Sequence, residues 1–188
     1  MEKVEPIRDK NKVKTIKSIL KGKDNYRDLL WVTIGLNTAL RIGDILELKV
    51  KDLRKENGEY YDHIRLREGK TNKSGKHQIN TSIREALDLY FEHNPAKGPG
   101  DYLFTTYAGR LTRQRANDII HELTEAVSLE GRYGTHTLRK TFGYHALKNG
   151  APVRELQDKF NHNSSSLTLD YCGITQDNVD QVVEELNL

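Results

Sequence analysis

The stretch from residue 26 to residue 40, YRDLLWVTIGLNTAL, constrains the fold more than any other part of the sequence. It is apolar on nearly every side of a helix until Asn37, whereas a surface helix shows only one apolar stripe. Such a helix must be surrounded by other elements, so we expect it at the centre of a core, with Arg41 directly after its end. It is shorter than the ~20 apolar residues of a membrane span. With 30% charged residues in the chain, we expect a soluble globular protein.

Helical periodicity predicts further helices around this central one. Their ends are marked by residues with known positional preferences, such as glycine just past a helix and proline at a first helical position. The predicted helices cover residues 11–21, a short segment after Arg41, a segment from Ser82, a segment capped by Thr112 and ended by Gly131 and Gly134, residues 137–149 with Gly150 behind them, and a helix with Pro152 at its first position that runs to residue 160.

The segment of residues 59–81 has a different pattern. Tyr60, Tyr61, Ile64 and Leu66 are followed by a polar GKTNKSGK and then by HQINT, which predicts a β-hairpin with a long basic loop. Residues 102–107, YLFTTY, predict a short extended piece. The sequence therefore predicts an α+β protein that is mostly α-helical, with a small antiparallel β-sheet at one edge. Its 188 residues fit one domain.

Composition limits the classes of site and partner. Cys172 is the only cysteine, which excludes an intramolecular disulfide and a zinc site built on several thiolates. The N-terminus lacks the apolar core of a signal peptide, so we expect a cytoplasmic protein without a membrane partner. The net charge of +3 and the pI near 8.8 hint only mildly at nucleic acid. The charge is uneven, however, with +8 on residues 1–150 and −5 on residues 151–188.

Five polar residues occur in an order that suits phosphoryl transfer on DNA: Arg41, His136, Arg139, His162 and Tyr171. An arginine guanidinium stays charged and presents a planar fork that matches two phosphate oxygens. A phenol with a pKa near 10 is a weak nucleophile that needs a base and a positive field. Taken alone, each residue is more often structural, as a helix-end arginine or a core tyrosine is. Their occurrence together favours the catalytic interpretation.

The sequence around these residues resembles the tyrosine recombinases, the phage and transposon integrase family. ALRIGDILELKVKDL (residues 39–53) is similar to the first box of the family, and residues 136–174, from HTLRKTF to DYCGI, are similar to the second. The resemblance covers the chain from Pro6 to about Tyr171. It implies the catalytic-domain fold of that family over residues 1–174, followed by a helical tail over residues 175–188.

The resemblance also implies a role for each matched residue. Arg41 and Arg139 would bind the non-bridging oxygens of the scissile phosphate, and Tyr171 would attack phosphorus to form a 3′-phosphotyrosine. His136 would accept the proton of Tyr171 and bind the phosphate, and His162 would add a hydrogen bond. Asp44 would support the region of Arg41. The lysine that protonates the leaving 5′-oxygen is best matched by Lys70, with Lys73 as the alternative.

The expected reaction uses no metal, no ATP and no other cofactor. No carboxylate cluster for two metals is visible in the sequence, so the developing charge would be stabilised by side chains. The phosphotyrosine would retain the energy of the broken phosphodiester, so rejoining would need no ATP.

Three departures from the family pattern affect these expectations. Asn161 stands where the family usually has glycine, and asparagine is the residue that best replaces glycine at a left-handed helix end. Lys140 follows Arg139 where a second histidine is frequent, and is expected to add a phosphate contact. The chain begins almost at the catalytic domain, so we expect the N-terminal core-binding and arm-binding domains to be absent and DNA affinity to be poor.

Two groups of basic residues are predicted to contact the DNA backbone, although solvated surface charge is the ordinary explanation for either. They are Arg65, Arg67, Lys70, Lys73 and Lys76 at the hairpin, and Arg110, Arg113 and Arg115 at a helix start. The expected partner is double-stranded DNA, and the resemblance implies a tetramer on two duplexes.

Three functions remain open from the sequence. The first is a site-specific recombinase or integrase acting through Tyr171. The second is a DNA-binding module of the same fold that does not recombine and modulates a full-length integrase. The third is a type IB topoisomerase-like enzyme, which shares the chemistry. The acidic tail with its apolar stripe is expected to dock on its own domain or on a neighbouring protomer.

Overall fold

Helices make up most of the chain, and two short hairpins accompany them. The structure is a computed structural model that describes residues 4–67, 69, 74–174 and 184. Its elements are α1 (Lys10–Gly22), α2 (Tyr26–Thr38), α3 (Ile42–Leu46), α4 (Val50–Leu53), β1 (His63–Arg67), β2 (Ser74–Gln78), α5 (Thr81–Glu92), β3 (Thr105–Thr106), β4 (Gly109–Arg110), α6 (Arg113–Ala126), α7 (Thr135–Lys148), α8 (Val153–Phe160) and α9 (Ser165–Tyr171). The predicted fold class, mostly helical with a small antiparallel sheet, is confirmed.

Helix α2 lies at the centre of the core, as predicted. Leu30, Trp31 and Ile34 are completely buried, and the helix packs against α1, α5 and α7. The one buried carboxylate on α2 is that of Asp28. It accepts a hydrogen bond from the Trp31 indole at 2.9 Å and forms an ion pair with Arg27 at 2.8 Å. Because its charge is paired and hydrogen-bonded, Asp28 is tolerated inside the core.

The predicted hairpin is formed by β1 and β2, which pair antiparallel with Ile64 opposite His77 and Arg65 opposite Lys76. Because side chains alternate along a strand, Ile64 and His77 turn into the protein and are buried, while Arg65 and Lys76 lie on the exposed face. The hairpin thus presents a basic outer face. The predicted loop residues Lys70 and Lys73 lie outside the described residues.

Several predicted helix boundaries are wrong or incomplete. Helix α6 ends at Ala126, before the predicted glycines, because Ser128 takes a left-handed conformation (φ 51°) that turns the chain. Pro152 caps α8 and is not its first residue, and α9 lacked a predicted boundary. Gly150 (φ 85°) and Asn161 (φ 54°) take the left-handed conformations expected after α7 and α8. The predicted tail, residues 175–188, lies outside the described residues except for Glu184.

Helix α7 approaches α8 and α9 very closely at Gly143. A methyl group added there would lie 2.8 Å from the Phe160 ring and still closer to the Cys172 sulfur. Glycine therefore sets the distance between α7, which carries His136 and Arg139, and α9, which carries Tyr171.

Along the part of the chain that the structure describes, no helix is long and apolar enough to cross a bilayer.

Candidate active site

The five residues that the sequence placed in one order come together around α7, which contacts the turn between α2 and α3, the end of α8 and the end of α9. Arg41 caps the N-terminus of α3, His136 and Arg139 lie on α7, His162 follows α8, and Tyr171 ends α9. The charges of Arg41 and Arg139 act on both His162 and Tyr171. Residues that are up to 130 positions apart in the sequence thus form one cluster.

Arg139 is the buried anchor of the cluster, with only 4% of its surface exposed. Its guanidinium donates to the backbone carbonyl of Ala39 and, at 3.2 Å, to that of Phe160, and it stacks 4.8 Å from the centre of the Phe160 ring. These contacts use two of the five donors that a guanidinium has. They also fix its plane, so that the remaining donors keep one direction.

The backbone turn before Arg41 gives that residue its position. Helix α2 ends at Thr38, its C-cap Ala39 adopts a left-handed conformation (φ 59°), and Arg41 then caps the start of α3 in an extended conformation. The Arg41 carbonyl accepts from the amides of Asp44 at 2.9 Å and Ile45 at 3.0 Å. Since the Ala39 carbonyl binds Arg139, one turn of backbone orders both arginines.

Tyr171 lies against His136 and beside the two arginines. Its hydroxyl is 3.5 Å from Nδ1 of His136, a long contact of the kind that catalytic groups often show before substrate binds. Burial raises the pKa of Tyr171, while the charge of Arg139, a hydrogen bond from Arg139 and the charge of Arg41 lower it. The net direction is upward, so the free protein holds Tyr171 as a neutral phenol with a histidine nearby.

His162 packs on Tyr171 and is oriented by Thr168, a residue that sequence reasoning missed. The two rings are 4.9 Å apart in an edge-to-face arrangement, and His162 Nδ1 lies 3.1 Å from the Thr168 hydroxyl. That hydroxyl donates its proton to the Ser164 carbonyl at 3.0 Å, so it accepts from Nδ1, which leaves Nε2 for a ligand. Burial and the charges of Arg139 and Arg41 lower the pKa of His162.

Asp44 connects the cluster to the hairpin. Its Oδ1 accepts a hydrogen bond from the amide of Gly69 at 3.0 Å, directly before the predicted lysine position. Asp44 therefore holds one end of the hairpin turn close to α3. Lys70 and its alternative Lys73 are outside the described residues, and their role stays a prediction.

Lys140 is not on the exposed basic surface. It is 5% exposed, and its ammonium lies 5.1 Å from the centre of the Tyr171 ring. The sequence pattern does not predict this orientation, because a lysine next to an arginine on a helix ordinarily reaches solvent.

The other predicted DNA contacts are exposed, but they differ in their partners. Arg65, Arg67 and Lys76 lie on the outer face of the hairpin. Arg110 pairs with Glu47 and Arg115 with Glu122, each at 2.6 Å. The Arg113 guanidinium packs against Gly43, two residues after Arg41, where an added methyl group would lie 3.0 Å from its central carbon. Arg113 thus extends the positive charge of the cluster.

Among the described residues, no three His, Cys, Asp or Glu side chains form a group that could hold a metal ion.

Comparison with known proteins shows the family to which the chain belongs. Residues 8–177 match the model of the phage integrase family. The probable integrase/recombinase YoeC of Bacillus subtilis is 39% identical over 179 residues, which cover 94% of this chain and 93% of that protein. The tyrosine recombinase XerC of Halalkalibacterium halodurans is 28% identical over 154 residues, which cover 77% of this chain and 49% of XerC. The chain thus spans about half the length of XerC.

Solved structures show the same fold. The crystal structure of XerA recombinase has a TM-score of 0.77 at 19% identity. The match covers 98% of this chain and 64% of the XerA chain. The XerH site-specific recombinase, bound to a palindromic difH substrate in a post-cleavage complex, has a TM-score of 0.75 at 21% identity. The match covers 100% of this chain and 54% of the XerH chain.

Proposed function

The chain belongs to the phage integrase family, and from that premise we propose that it cleaves and rejoins DNA strands through Tyr171. The observation that carries this proposal is the position of the Tyr171 hydroxyl, 3.5 Å from His136 and within reach of the charges of both arginines. A nucleophile, a proton acceptor and two phosphate-binding forks are together in one cluster. A module that only binds DNA would not require this arrangement.

The proposed reaction is an in-line displacement at phosphorus. Arg41 and Arg139 bind the non-bridging oxygens and stabilise the charge that develops on them. The Tyr171 oxygen forms a bond to phosphorus while the bond to the 5′-oxygen breaks, and the phenol proton goes to His136. A lysine of the hairpin turn, Lys70 by the family pattern, protonates the leaving oxygen. Attack by a 5′-hydroxyl reverses these steps, so the proposed cycle needs neither ATP nor a metal ion.

The proposed extent of the domain is residues 1–174, with residues 175–188 as a tail. Its proposed partner is duplex DNA, and assembly into a tetramer on two duplexes is proposed from the family. Asp and Glu outnumber Lys and Arg after residue 150, whereas the basic residues of the hairpin and of the active-site cluster lie before it. We therefore place DNA on the side of the hairpin and α3.

DNA affinity should depend on the protonation of His162. Nδ1 of His162 is engaged by Thr168, so Nε2 can donate to a phosphate oxygen only when the ring is protonated. Burial lowers the pKa of His162 in the free protein, and a bound phosphate raises it. The complex therefore binds more protons than the free protein, and affinity should increase as the pH falls from 8 to 6.

Binding isotherms at several pH values measure this dependence. His162→Gln, which donates without titrating, should remove part of the slope of affinity against pH. A slope identical in the variant and the wild type would contradict the proposed role of His162.

Arg113→Ala should weaken DNA binding equally on all sequences and flatten its salt dependence by about one counterion. Arg115→Ala should have a smaller effect, because Arg115 is already paired with Glu122 at 2.6 Å. Affinity measured over a series of salt concentrations separates the two variants. If Arg113→Ala leaves the salt slope unchanged, Arg113 does not contact the backbone.

The enzyme is tested with a pool of duplexes that are nicked on one strand and randomised around the nick. The strand that would stay on the protein is labelled at its 5′ end. Cleavage releases a short fragment that diffuses away, so the covalent product accumulates as a labelled band that survives denaturation. We expect this band with the wild type and not with Tyr171→Phe. No band on any DNA would favour the binding module, and relaxation of a plasmid without strand exchange would favour a topoisomerase.

A further inference from the structure

Lys140 occupies a buried position that the proposed reaction has not yet used. It is 5% exposed, whereas the predicted backbone contacts Arg65 and Arg113 are exposed. Its ammonium lies 5.1 Å from the centre of the Tyr171 ring. Its surroundings are therefore those of the nucleophile and differ from those of the basic outer surface.

The Tyr171 ring contacts two aromatic rings as well as this cation. The Phe160 ring is 5.3 Å away, tilted, and the His162 ring is 4.9 Å away, edge to face. A cation near an aromatic ring is attracted by the electrons of its face. A phenolate delocalises its negative charge into the ring, so the same cation is attracted more strongly to the phenolate than to the phenol. A cation at this distance is therefore suited to stabilising the ionised form preferentially.

Other charged and titratable groups also face Tyr171, and they have other tasks. They are Arg41 before α3, His136 and Arg139 on α7, His162 after α8, and Cys172 next to Tyr171. A bound phosphate partly neutralises the two arginines. Lys140 lies at the ring and away from the exposed basic surface, so its task differs from that of the two arginines.

The neighbouring thiol does not compete for this charge. Burial raises the pKa of Cys172 to about 12, although Lys140 and Arg139 lower it in part. At neutral pH the thiol is therefore uncharged, and the group beside Lys140 that must ionise during the reaction is the phenol.

We propose that Lys140 is a positioning residue that holds the Tyr171 ring and stabilises its phenolate from within the protein. This inference rests on the proposed role of Tyr171 as the nucleophile. It replaces the expectation that Lys140 contacts phosphate on the DNA surface.

The first test measures ionisation without requiring activity. Tyrosine is replaced throughout by 3-fluorotyrosine, whose fluorine brings the titration to lower pH, and the ¹⁹F resonance of residue 171 is assigned by its absence in Tyr171→Phe. Lys140→Met should move the titration midpoint of this resonance up by about one pH unit, which is tenfold less phenolate at a given pH. Lys140→Arg, which keeps the charge, should bring the midpoint most of the way back to the wild-type value.

Lys159→Met is the matched control. The Lys159 ammonium also lies near an aromatic ring, 5.5 Å from the centre of the Phe142 ring, but that ring has no hydroxyl that could ionise. It should leave the midpoint unchanged. Circular dichroism at each pH checks that the fold is kept. An unchanged midpoint in Lys140→Met overturns the proposal. If Lys140→Met does not fold, Lys140→Gln is used with the same expectation, and loss of the fold in both would assign Lys140 a structural role and also overturn it.

The second test uses single-turnover formation of the covalent product against pH. Lys140→Met should react about tenfold more slowly at pH 7 and approach the wild-type rate as the pH rises. An equal reduction at every pH would indicate a loss of packing alone. If the wild type forms no product, the proposed function fails, while the titration still decides whether Lys140 tunes the phenol.

Discussion

Replacing Arg139 with alanine is expected to reduce strand cleavage by about 10³-fold, the upper range for loss of one transition-state donor. The side chain binds the carbonyls of Ala39 and Phe160 and stacks on the Phe160 ring. Its removal leaves two buried acceptors without their donor, so we also expect the free energy of unfolding to fall by about 3 kcal/mol. Denaturant unfolding and single-turnover cleavage measure the two losses separately.

Arg139→Lys separates charge from geometry. Lysine keeps the positive charge but has no planar fork, so it cannot bind both carbonyls and also present a pair of donors to phosphate. We expect it to recover part of the stability and little of the activity. Arg154→Ala on the exposed surface of α8 is the control and should change stability by less than about 0.5 kcal/mol. Cleavage by Arg139→Ala at the wild-type rate would show that Arg139 only supports the fold.

Gly143→Ala is expected to cost about 2 kcal/mol of stability and to abolish most cleavage. The added methyl group would overlap the Phe160 ring at 2.8 Å and the Cys172 sulfur more severely. Cys172 directly follows Tyr171, and the Phe160 ring at the end of α8 lies 5.3 Å from the Tyr171 ring, so α9 must move away from α7 and carry its hydroxyl away from His136. A displacement of about 1 Å is enough to reduce a rate about 10²-fold.

Gly22→Ala is the matched control for this variant. Gly22 ends α1, and an alanine there would meet nothing within 4 Å. It should leave stability and cleavage nearly unchanged. Wild-type cleavage by Gly143→Ala would contradict the view that this close approach positions Tyr171.

The sequence predicted the elements whose pattern is local. The buried helix α2 was evident from its apolar residues on every side, and the hairpin was evident from its alternation before a basic loop. Asn161 was expected to be left-handed from its residue type, and it is. The cluster of site residues followed from a family pattern, and the structure brings the described members together.

The sequence could not predict features that depend on contacts between distant segments. Helix α7 is buried on several sides although it is polar, so Lys140 turns inward where its pattern indicates solvent. Arg110 finds Glu47 across 63 residues, which no spacing rule reveals. Helix α6 ends at Ala126, and the chain turns after it at Ser128, a left-handed residue that is not glycine. Thr168 orients His162 through a hydroxyl that has no distinctive sequence context.

The proposed function requires above all that the oxygen of Tyr171 becomes bonded to a DNA phosphate. The labelled product from the nicked duplexes can be digested with protease and nuclease, and the modified peptide sequenced by tandem mass spectrometry. We expect a nucleotide joined through its 3′-phosphate to Tyr171, in the peptide that contains Asp170 and Cys172. A nucleotide linked to any other residue, or one linked through a 5′-phosphate, would contradict it.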